Sequence, residues 1–138
     1  MIVLVDTSVW SLALRRRPGD LSPGQRRIVA ELEELIREGR VALPGLVRQE
    51  LLSGIGDRAT YERLRDRLRS FPDLTLTTED HETAAVGFNR CRSVGLAGSA
   101  IDFLMCAAAE LRSLAVFTTD DDFVRYASHL EFRLHHPR

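Results

Sequence analysis

The chain has 138 residues, 44% hydrophobic and 28% charged, so we expect one globular domain spanning residues 1–138. Its formal net charge is -1 and its 19 basic residues are all arginine, which excludes a Walker-type phosphate loop and Schiff-base catalysis, because both need a lysine. No apolar run approaches the ~20 residues of a membrane span and no secretory signal is visible, so we expect a cytoplasmic protein that does not bind membranes.

The chain begins with an apolar, mostly β-branched run, Ile2 to Val5, whose lack of polar alternation predicts a strand buried on both faces of a parallel sheet. Asp6 follows directly. The Asp-Thr-Ser run is a natural turn from strand to helix, because these side chains accept hydrogen bonds from free helix amides. Ligands of open α/β sheets bind at this end of the strands, so Asp6 is either a site residue or only a helix cap.

A short helix and a basic loop follow the first strand. Residues 9–14 predict the helix, and Arg15, Arg16 and Arg17 with the Pro-Gly pair after them predict the loop that ends it. These arginines lie close to the predicted site along the chain. They could therefore contact the phosphates of a ligand, or they could form a solvated turn.

The next segment repeats the order of strand, helix and acid. A capping box at residues 22–25 predicts a second helix, and residues 41–43 predict a second strand. The third predicted helix, residues 46–54, carries Glu50 about one turn past that strand. Glu50 is therefore a candidate for the same pocket as Asp6, although one acid at such a place could also be a surface residue at its rim.

The middle and the end of the chain carry weaker signals. Asp57 starts a fourth helix with an arginine-rich outer face, which could be a salt-bridged solvent face or an arm that contacts RNA or a partner. Residues 74–76 predict a third strand, Thr78 caps a fifth helix, and residues 130–134 predict the last strand. The histidines at 135–136 predict an exposed tail.

Residues 99–111 are apolar on nearly every side, which predicts a helix buried against the sheet. Asp102 is the only charge in the first half of this helix. Its spacing from the serine at the helix start matches a capping box, but a carboxylate in a buried helix start also requires a cation. The fourth predicted strand, residues 114–117, ends in Thr118 and a run of acids that begins at Asp120.

These acids can be considered together. Parallel strands with right-handed crossovers bring their carboxyl ends to one edge of the sheet, so Asp6, Glu50, Asp102 and Asp120 could converge there. Two carboxylates ~4 Å apart repel by about 4 kcal/mol at an effective dielectric of about 20, which favours a bound cation. Oxygen ligands without cysteine or histidine select Mg²⁺ or Mn²⁺, and such sites usually act on phosphates.

The sequence resembles the PIN-domain ribonucleases, in particular the VapC-type toxins of bacterial toxin–antitoxin pairs. The resemblance covers essentially the whole chain, and its motifs occur in the family order. The matching segments are Val5-Asp-Thr-Ser-Val-Trp10, Glu50-Leu-Leu-Ser-Gly54, Ser99-Ala-Ile-Asp-Phe-Leu-Met-Cys-Ala-Ala108 and Thr118-Thr-Asp-Asp-Asp-Phe123.

The resemblance implies a Rossmann-like α/β/α sandwich with a central, mostly parallel sheet. It also implies a Mg²⁺- or Mn²⁺-dependent endoribonuclease that acts as a toxin, a small antitoxin partner that blocks it, and a homodimer. The catalytic and metal-binding acids carried over are Asp6, Glu50, Asp102 and Asp120, with Asp122 as a less constant fifth metal ligand. The hydroxyls that match the support of this pocket are those of Ser8 and Thr118.

One departure from the family pattern and two alternatives stay open. Three successive acids follow Thr119, so the register of the last motif depends on aligning its threonine with Thr118, which also places Phe123 correctly. The first alternative is another Mg²⁺-dependent phosphoesterase, but an Asp-x-Asp phosphatase would need an acid where Ser8 stands. The second is a non-catalytic module of the same fold that binds RNA or protein, which a full set of repelling acids disfavours.

Overall fold

The computed structural model describes the whole chain, residues 1–138, as five strands and seven α-helices, none of them long and apolar enough to cross a membrane. The strands are β1 (Val3–Val5), β2 (Val41–Pro44), β3 (Asp73–Leu74), β4 (Ala115–Phe117) and β5 (Arg133–Leu134). The helices are α1 (Thr7–Leu14), α2 (Pro23–Arg37), α3 (Gly45–Leu52), α4 (Arg58–Leu68), α5 (Thr78–Ser93), α6 (Ala100–Arg112) and α7 (Asp122–Ala127), with a 3-10 turn at Pro18–Asp20.

The five strands are all parallel and lie in the order β3-β2-β1-β4-β5. Right-handed crossovers therefore put α1 to α4 on one face of the sheet and α5 to α7 on the other. This arrangement confirms the predicted α/β/α sandwich. The chain runs from β1 to β2 on one side and later returns to β4 on the other side. The carboxyl ends of β1 and β4 thus form the switch point at which sheets of this class bind ligands.

The apolar sequences of β1 and α6 explain why these two elements lie at the centre of the molecule. The three residues of β1 have no exposed surface, because neighbouring strands cover both edges and helices cover both faces. In α6, every residue from Phe103 to Ala109 is buried. A helix that is apolar all round must be enclosed, and α6 lies between the sheet and α5. Its first turn, with Asp102, is therefore held at a fixed place near the carboxyl edge of the sheet.

The two edge strands are shorter than the sequence predicts. The predicted strand 74–76 is Asp73–Leu74, because only these two residues pair with β2. The predicted strand 130–134 is reduced to Arg133–Leu134, which pairs with Ala115 and Val116 of β4. Periodicity overestimates both strands, since an edge strand extends only over the residues that pair with its one neighbour.

The start of α5 also differs from the prediction, because Thr77 and not Thr78 is its cap. The Thr77 hydroxyl accepts a hydrogen bond from the Asp80 amide, and the Asp80 carboxylate accepts one from the Thr77 amide at 2.7 Å. Both terminal nitrogens of the Arg112 guanidinium donate to the fully buried Asp80 carboxylate, at 2.5 and 2.7 Å. These bonds lower the pKa of Asp80 to about 2, against the opposing effect of burial. The pair joins the start of α5 to the end of α6.

The C-terminal tail is only partly the exposed tail that the sequence predicts, because His136 is exposed but His135 is half-buried. The ring of His135 packs edge-on against Phe117 of β4, and its Nε2 lies 2.7 Å from the buried carboxylate of Glu31 in α2. Arg138 donates to the other oxygen of Glu31 at 2.8 Å. A buried carboxylate needs such partners, so the tail is held across the edge of the sheet by a charge that the sequence does not reveal as buried.

Candidate active site

Asp6 lies at the carboxyl end of β1 and also caps α1, so its geometry fits both roles that the sequence leaves open for it. Its Oδ2 accepts hydrogen bonds from the Ser8 amide at 3.4 Å, the Ser8 hydroxyl at 2.7 Å and the Thr118 hydroxyl at 2.9 Å. Three donors on one oxygen fix the orientation of the carboxylate. The other oxygen, Oδ1, accepts no hydrogen bond from the chain and stays available to a ligand.

Ser8 and Thr118 connect the ends of β1 and β4 at the switch point. Their hydroxyl oxygens are 3.3 Å apart, the Thr119 amide donates to the Ser8 hydroxyl at 3.0 Å, and the Asp120 amide donates to the Thr118 hydroxyl at 3.0 Å. The two hydroxyls therefore set the path of the loop after β4 relative to Asp6. This is a supporting role of the kind that the resemblance implies for them.

Asp102 occupies the first turn of α6 in the capping box that its spacing predicts. The Ser99 hydroxyl accepts from the Asp102 amide at 3.1 Å, and the Asp102 carboxylate accepts from the Ser99 amide at 3.4 Å. Burial raises the pKa of Asp102, and the charges of Asp6 and Asp120 raise it further, against the lowering effect of the bonds with Ser99. The carboxylate thus lies among like charges without a cation of the protein to balance it.

The loop after β4 brings two more acids, Asp120 and Asp122, to the carboxyl edge of the sheet, and only one of them forms an ion pair. Asp120 is exposed, and one of its oxygens accepts from the Asp122 amide at 2.9 Å. Asp122 forms an ion pair with Arg125 one turn later in α7. Asp122 is therefore already compensated, while Asp120 has no basic partner among the ion pairs of the chain.

Glu50 lies on the exposed face of α3 and is held by α1. The Thr7 hydroxyl donates to one oxygen of the Glu50 carboxylate at 2.9 Å. At the other end of α1, the Arg15 guanidinium donates to the main-chain carbonyls of Glu50 and Leu51 at 3.2 and 2.6 Å. These contacts set the position of Glu50 relative to Asp6. The sequence analysis predicts neither the contact of Thr7 with Glu50 nor that of Arg15 with α3. The only sequence signal for the first contact is that Thr7 directly follows Asp6.

The three arginines after α1 are not equivalent. Arg15 is used within the chain by α3, whereas Arg16 and Arg17 are exposed and take part in no ion pair. Of the three, Arg16 and Arg17 are therefore the ones whose charges are free to meet an anionic ligand.

The acids supply suitable oxygens for a divalent metal ion, but not a closed set of ligands. Each of Asp6, Asp102 and Asp120 has one oxygen that accepts a hydrogen bond from the chain and one that accepts none. No three of the acidic side chains lie close enough together to hold one ion directly. Mg²⁺ keeps several of its waters in proteins, so the donor set fits this ion in chemistry, with water completing the contacts.

Comparison with known proteins agrees with this fold. The model of the family described as "PIN domain" matches residues 3–128. A chain in the crystal structure of FitAcB from Neisseria gonorrhoeae is 25% identical, with a TM-score of 0.77 over 99% of this chain and 98% of that one. A chain of VapBC2 from Rickettsia felis, solved bound to a DNA fragment from their promoter, is 17% identical, with a TM-score of 0.77 over 98% of each chain.

A third similar fold occurs in VapBC-5 from Mycobacterium tuberculosis, described as a member of the VapBC family of toxin-antitoxin systems. It is 19% identical, with a TM-score of 0.65 over 97% of this chain and all of that one. No curated protein sequence matches the chain. The structures that are 17% and 19% identical show a similar fold only. The assignment of the sequence to a family rests on the match to the family model.

Proposed function

This chain belongs to the PIN domain family, and from that premise we propose that it is a metal-dependent endoribonuclease and the toxin of a type II toxin–antitoxin pair. The observation that carries the proposal is the group of acids at the switch point between β1 and β4. Burial and the nearby charges of Asp6 and Asp120 make the ionised form of Asp102 unfavourable. A helix start with a purely structural role does not require such an acid, whereas catalytic sites commonly contain one.

The proposed metal is Mg²⁺ or Mn²⁺, held by Asp6, Asp102 and Asp120 directly or through water, with Glu50 adjacent and Asp122 at the periphery. Such an ion would neutralise charge on the phosphodiester and acidify a water. Histidine and cysteine are absent from the group, which disfavours zinc. In the catalytic step, the side chains of the protein orient the metal ligands and the attacking water. Ser8 and Thr118 orient Asp6, and the free oxygen of the exposed Glu50 is available to accept a proton from the attacking water.

The proposed reaction is hydrolysis of an RNA phosphodiester. Water attacks phosphorus, the bond to the ribose 3′ oxygen breaks, and that oxygen leaves as a 3′-hydroxyl. The products then carry 5′-phosphate and 3′-hydroxyl ends. A purified sample incubated with a pool of structured RNAs should give these ends with Mg²⁺ or Mn²⁺ and no products with EDTA. Ends with a 2′,3′-cyclic phosphate, or full activity in EDTA, would contradict the proposal.

Matched variants sharpen this assay. Asp6→Asn keeps an oxygen that can accept from Ser8 and Thr118 but removes the charge, so it should abolish cleavage and weaken Mn²⁺ binding in a calorimetric titration. Glu33→Gln, on the exposed face of α2, is the control and should change neither. Equal Mn²⁺ affinities for wild type and Asp6→Asn would exclude Asp6 as a ligand. Hydrolysis of small phosphate monoesters without cleavage of RNA would favour the other phosphoesterases.

We also propose a small antitoxin partner. An acidic pocket is open to a guanidinium, which can bind carboxylates with two parallel hydrogen bonds. An open groove of ≈ 650 Å³ lies between the end of α1, the end of α3 and α4, with Leu14, Ile55 and Leu64 as its apolar residues and Arg63 and Arg67 at its side. An amphipathic helix with acidic residues on one side fits such a groove.

Co-expression with the product of the neighbouring gene tests the partner. The purified complex should be inactive on RNA and should regain activity once the partner is removed. A chain that is expressed freely alone, harms no cell and binds no small partner would contradict the toxin proposal. The homodimer implied by the resemblance is a separate proposal, and light scattering on the purified chain should give about twice its 15.5 kDa mass.

A further inference from the structure

Tyr126 of α7 is a buried side chain that touches the loop before α6. Its residue surface is only 1% exposed, and its hydroxyl donates to the main-chain carbonyl of Ala97 at 2.8 Å. The ring is packed against Phe103 and Phe123, with centroid distances of 4.9 and 5.5 Å. The ring therefore has little freedom to move, and its hydroxyl is a fixed point to which the loop is attached.

Gly98 shows how closely the loop lies on that fixed point. A Cβ atom at this position would lie 2.9 Å from Cζ of Tyr126 and 2.9 Å from Cε2 of Phe103, and closer still to the Tyr126 hydroxyl. No other glycine of the chain is so confined. A side chain at position 98 would push the loop away from α7, because both rings are held in the core.

The contact between Tyr126 and the loop joins two segments that each lie next to an acid of the site, Asp102 after the loop and Asp120 before α7. Ser99, the residue after Gly98, is the N-cap of α6 and is hydrogen-bonded to Asp102. On the other side, Asp120 lies just before α7, the helix that buries Tyr126. One phenol thus joins the segment that places Asp102 to the segment that follows Asp120.

We propose that Tyr126 is a positioning residue, whose hydroxyl and ring hold the loop 97–99 so that Asp102 stays in register with the acids of the β4 loop. Tyr126 acts through Ala97 and Ser99 and does not itself touch the metal or the RNA. Its consequence for cleavage rests on the proposed function. Its consequence for the loop does not, because the hydrogen bond and the packing exist in the chain alone.

The primary test is Tyr126→Phe, which removes the hydroxyl and keeps the ring. Tyr61→Phe is the matched control, because Tyr61 is half-buried on α4, away from this loop. We expect amide hydrogen exchange in peptides covering residues 97–103 to be about tenfold faster in Tyr126→Phe, since this variant cannot form the buried hydrogen bond. Exchange in the rest of α6 should be unchanged in Tyr126→Phe, and Tyr61→Phe should resemble wild type throughout.

Two site readouts follow the exchange measurement. In Tyr126→Phe, Mn²⁺ affinity measured by calorimetry should fall severalfold, and kcat for RNA should fall about tenfold while KM changes less than twofold. A merely structural role would lower the melting temperature without this split. Unchanged exchange at 97–103, or faster exchange with unchanged Mn²⁺ affinity and kcat, would overturn the inference.

Gly98→Ala provides an independent variant, which keeps the hydroxyl and displaces the loop by steric contact. It should give the same pattern, while Gly24→Ala on α2, where an added Cβ meets nothing closer than 4.0 Å, should not. If Gly98→Ala does not fold, the tyrosine pair alone decides. If wild type neither binds Mn²⁺ nor cleaves RNA, the proposed function fails, and the exchange data still decide whether Tyr126 holds the loop.

Discussion

At the scale of single residues, Asp102 shows the largest conflict between stability and the proposed function. Burial and the charges of Asp6 and Asp120 raise the pKa of its carboxyl, so the ionised form is less favourable in the folded chain than in the unfolded one. The folded protein is therefore destabilised by this charge unless a cation is bound.

Asp102→Asn should remove that destabilisation. Asparagine keeps an oxygen that can accept from the Ser99 amide but carries no charge, so in EDTA at pH 7 the melting temperature should rise by roughly 2–4 °C. The same variant should not cleave RNA. Calorimetric melting of wild type, Asp102→Asn and the exposed control Glu33→Gln measures the effect. A melting temperature below that of wild type would show that the cap, and not the charge, dominates at this position.

Arg16 and Arg17 lead to a second prediction at this scale. If they bind phosphates, the affinity for RNA should depend less on salt in the double alanine variant, with a slope smaller by about one for each phosphate that the variant no longer binds. Arg15→Ala should instead lower the cleavage rate without changing the slope, because Arg15 is bound to α3. Arg27→Ala, on an exposed part of α2, is the control. An unchanged slope in the double variant would leave both residues as surface charge.

At the scale of elements, the pair of Asp80 and Arg112 fastens α5 to α6. The carboxylate is fully buried and the guanidinium side chain is 24% exposed. Arg112 also donates to the carbonyls of Ala108 and Thr75. Because α6 carries Asp102 at one end and Arg112 at the other, this pair fixes the end of the helix remote from the site.

Asp80→Asn should destabilise the fold by about 3 kcal/mol at pH 7, because Arg112 then lies beside a neutral partner. The pKa of Asp80 is about 2 in the folded chain and ordinary in the unfolded one. The stabilisation is therefore complete above pH ~4 and is lost as the pH falls toward ~2. Denaturant unfolding across this range should show the two proteins converging at low pH. Glu62→Gln, in an exposed pair with Arg58, should change stability by less than ~0.5 kcal/mol at any pH.

At the scale of the whole molecule, the C-terminal tail connects α2 to the β4–β5 edge. Burial raises the pKa of Glu31, but the hydrogen bonds from His135 and Arg138 outweigh it, so the pKa lies below its usual range. Arg138 also pairs with Glu38 at the end of α2. His135 and Arg138 thus compensate a charge in the second helix, and His135 packs on Phe117, the residue before the site hydroxyl Thr118.

Replacing His135 and Arg138 together by alanine should destabilise the protein by about 3 kcal/mol, since Glu31 is then buried without a partner. Adding Glu31→Met to this double variant should restore most of that stability, because an apolar side chain of similar size needs no partner. Urea unfolding of the three proteins measures both steps. A triple variant no more stable than the double variant would mean that the tail acts by covering apolar surface rather than by compensating charge.

Several features of this protein follow from the sequence by itself. The buried first strand, the capping box of α6 and the support of Asp6 by Ser8 depend on residues close together in the chain, and such patterns are readable from spacing. The approach of Asp6, Asp102 and Asp120 is also predictable, although these residues are far apart in sequence. Parallel strands with right-handed crossovers bring their carboxyl ends to one edge whatever the details of packing.

Other features are decided only by the tertiary structure. Glu50 is bound by Thr7, and His135 packs against β4 and Glu31 instead of extending into solvent. The hydrogen bond of Tyr126 to Ala97 belongs to the same class. Most of these partners are separated by tens of residues, and which oxygen of which acid is left free depends on how helices pack across the sheet. Spacing predicts where chain segments meet, whereas the side-chain partners at each meeting depend on angles and distances that only the folded core determines.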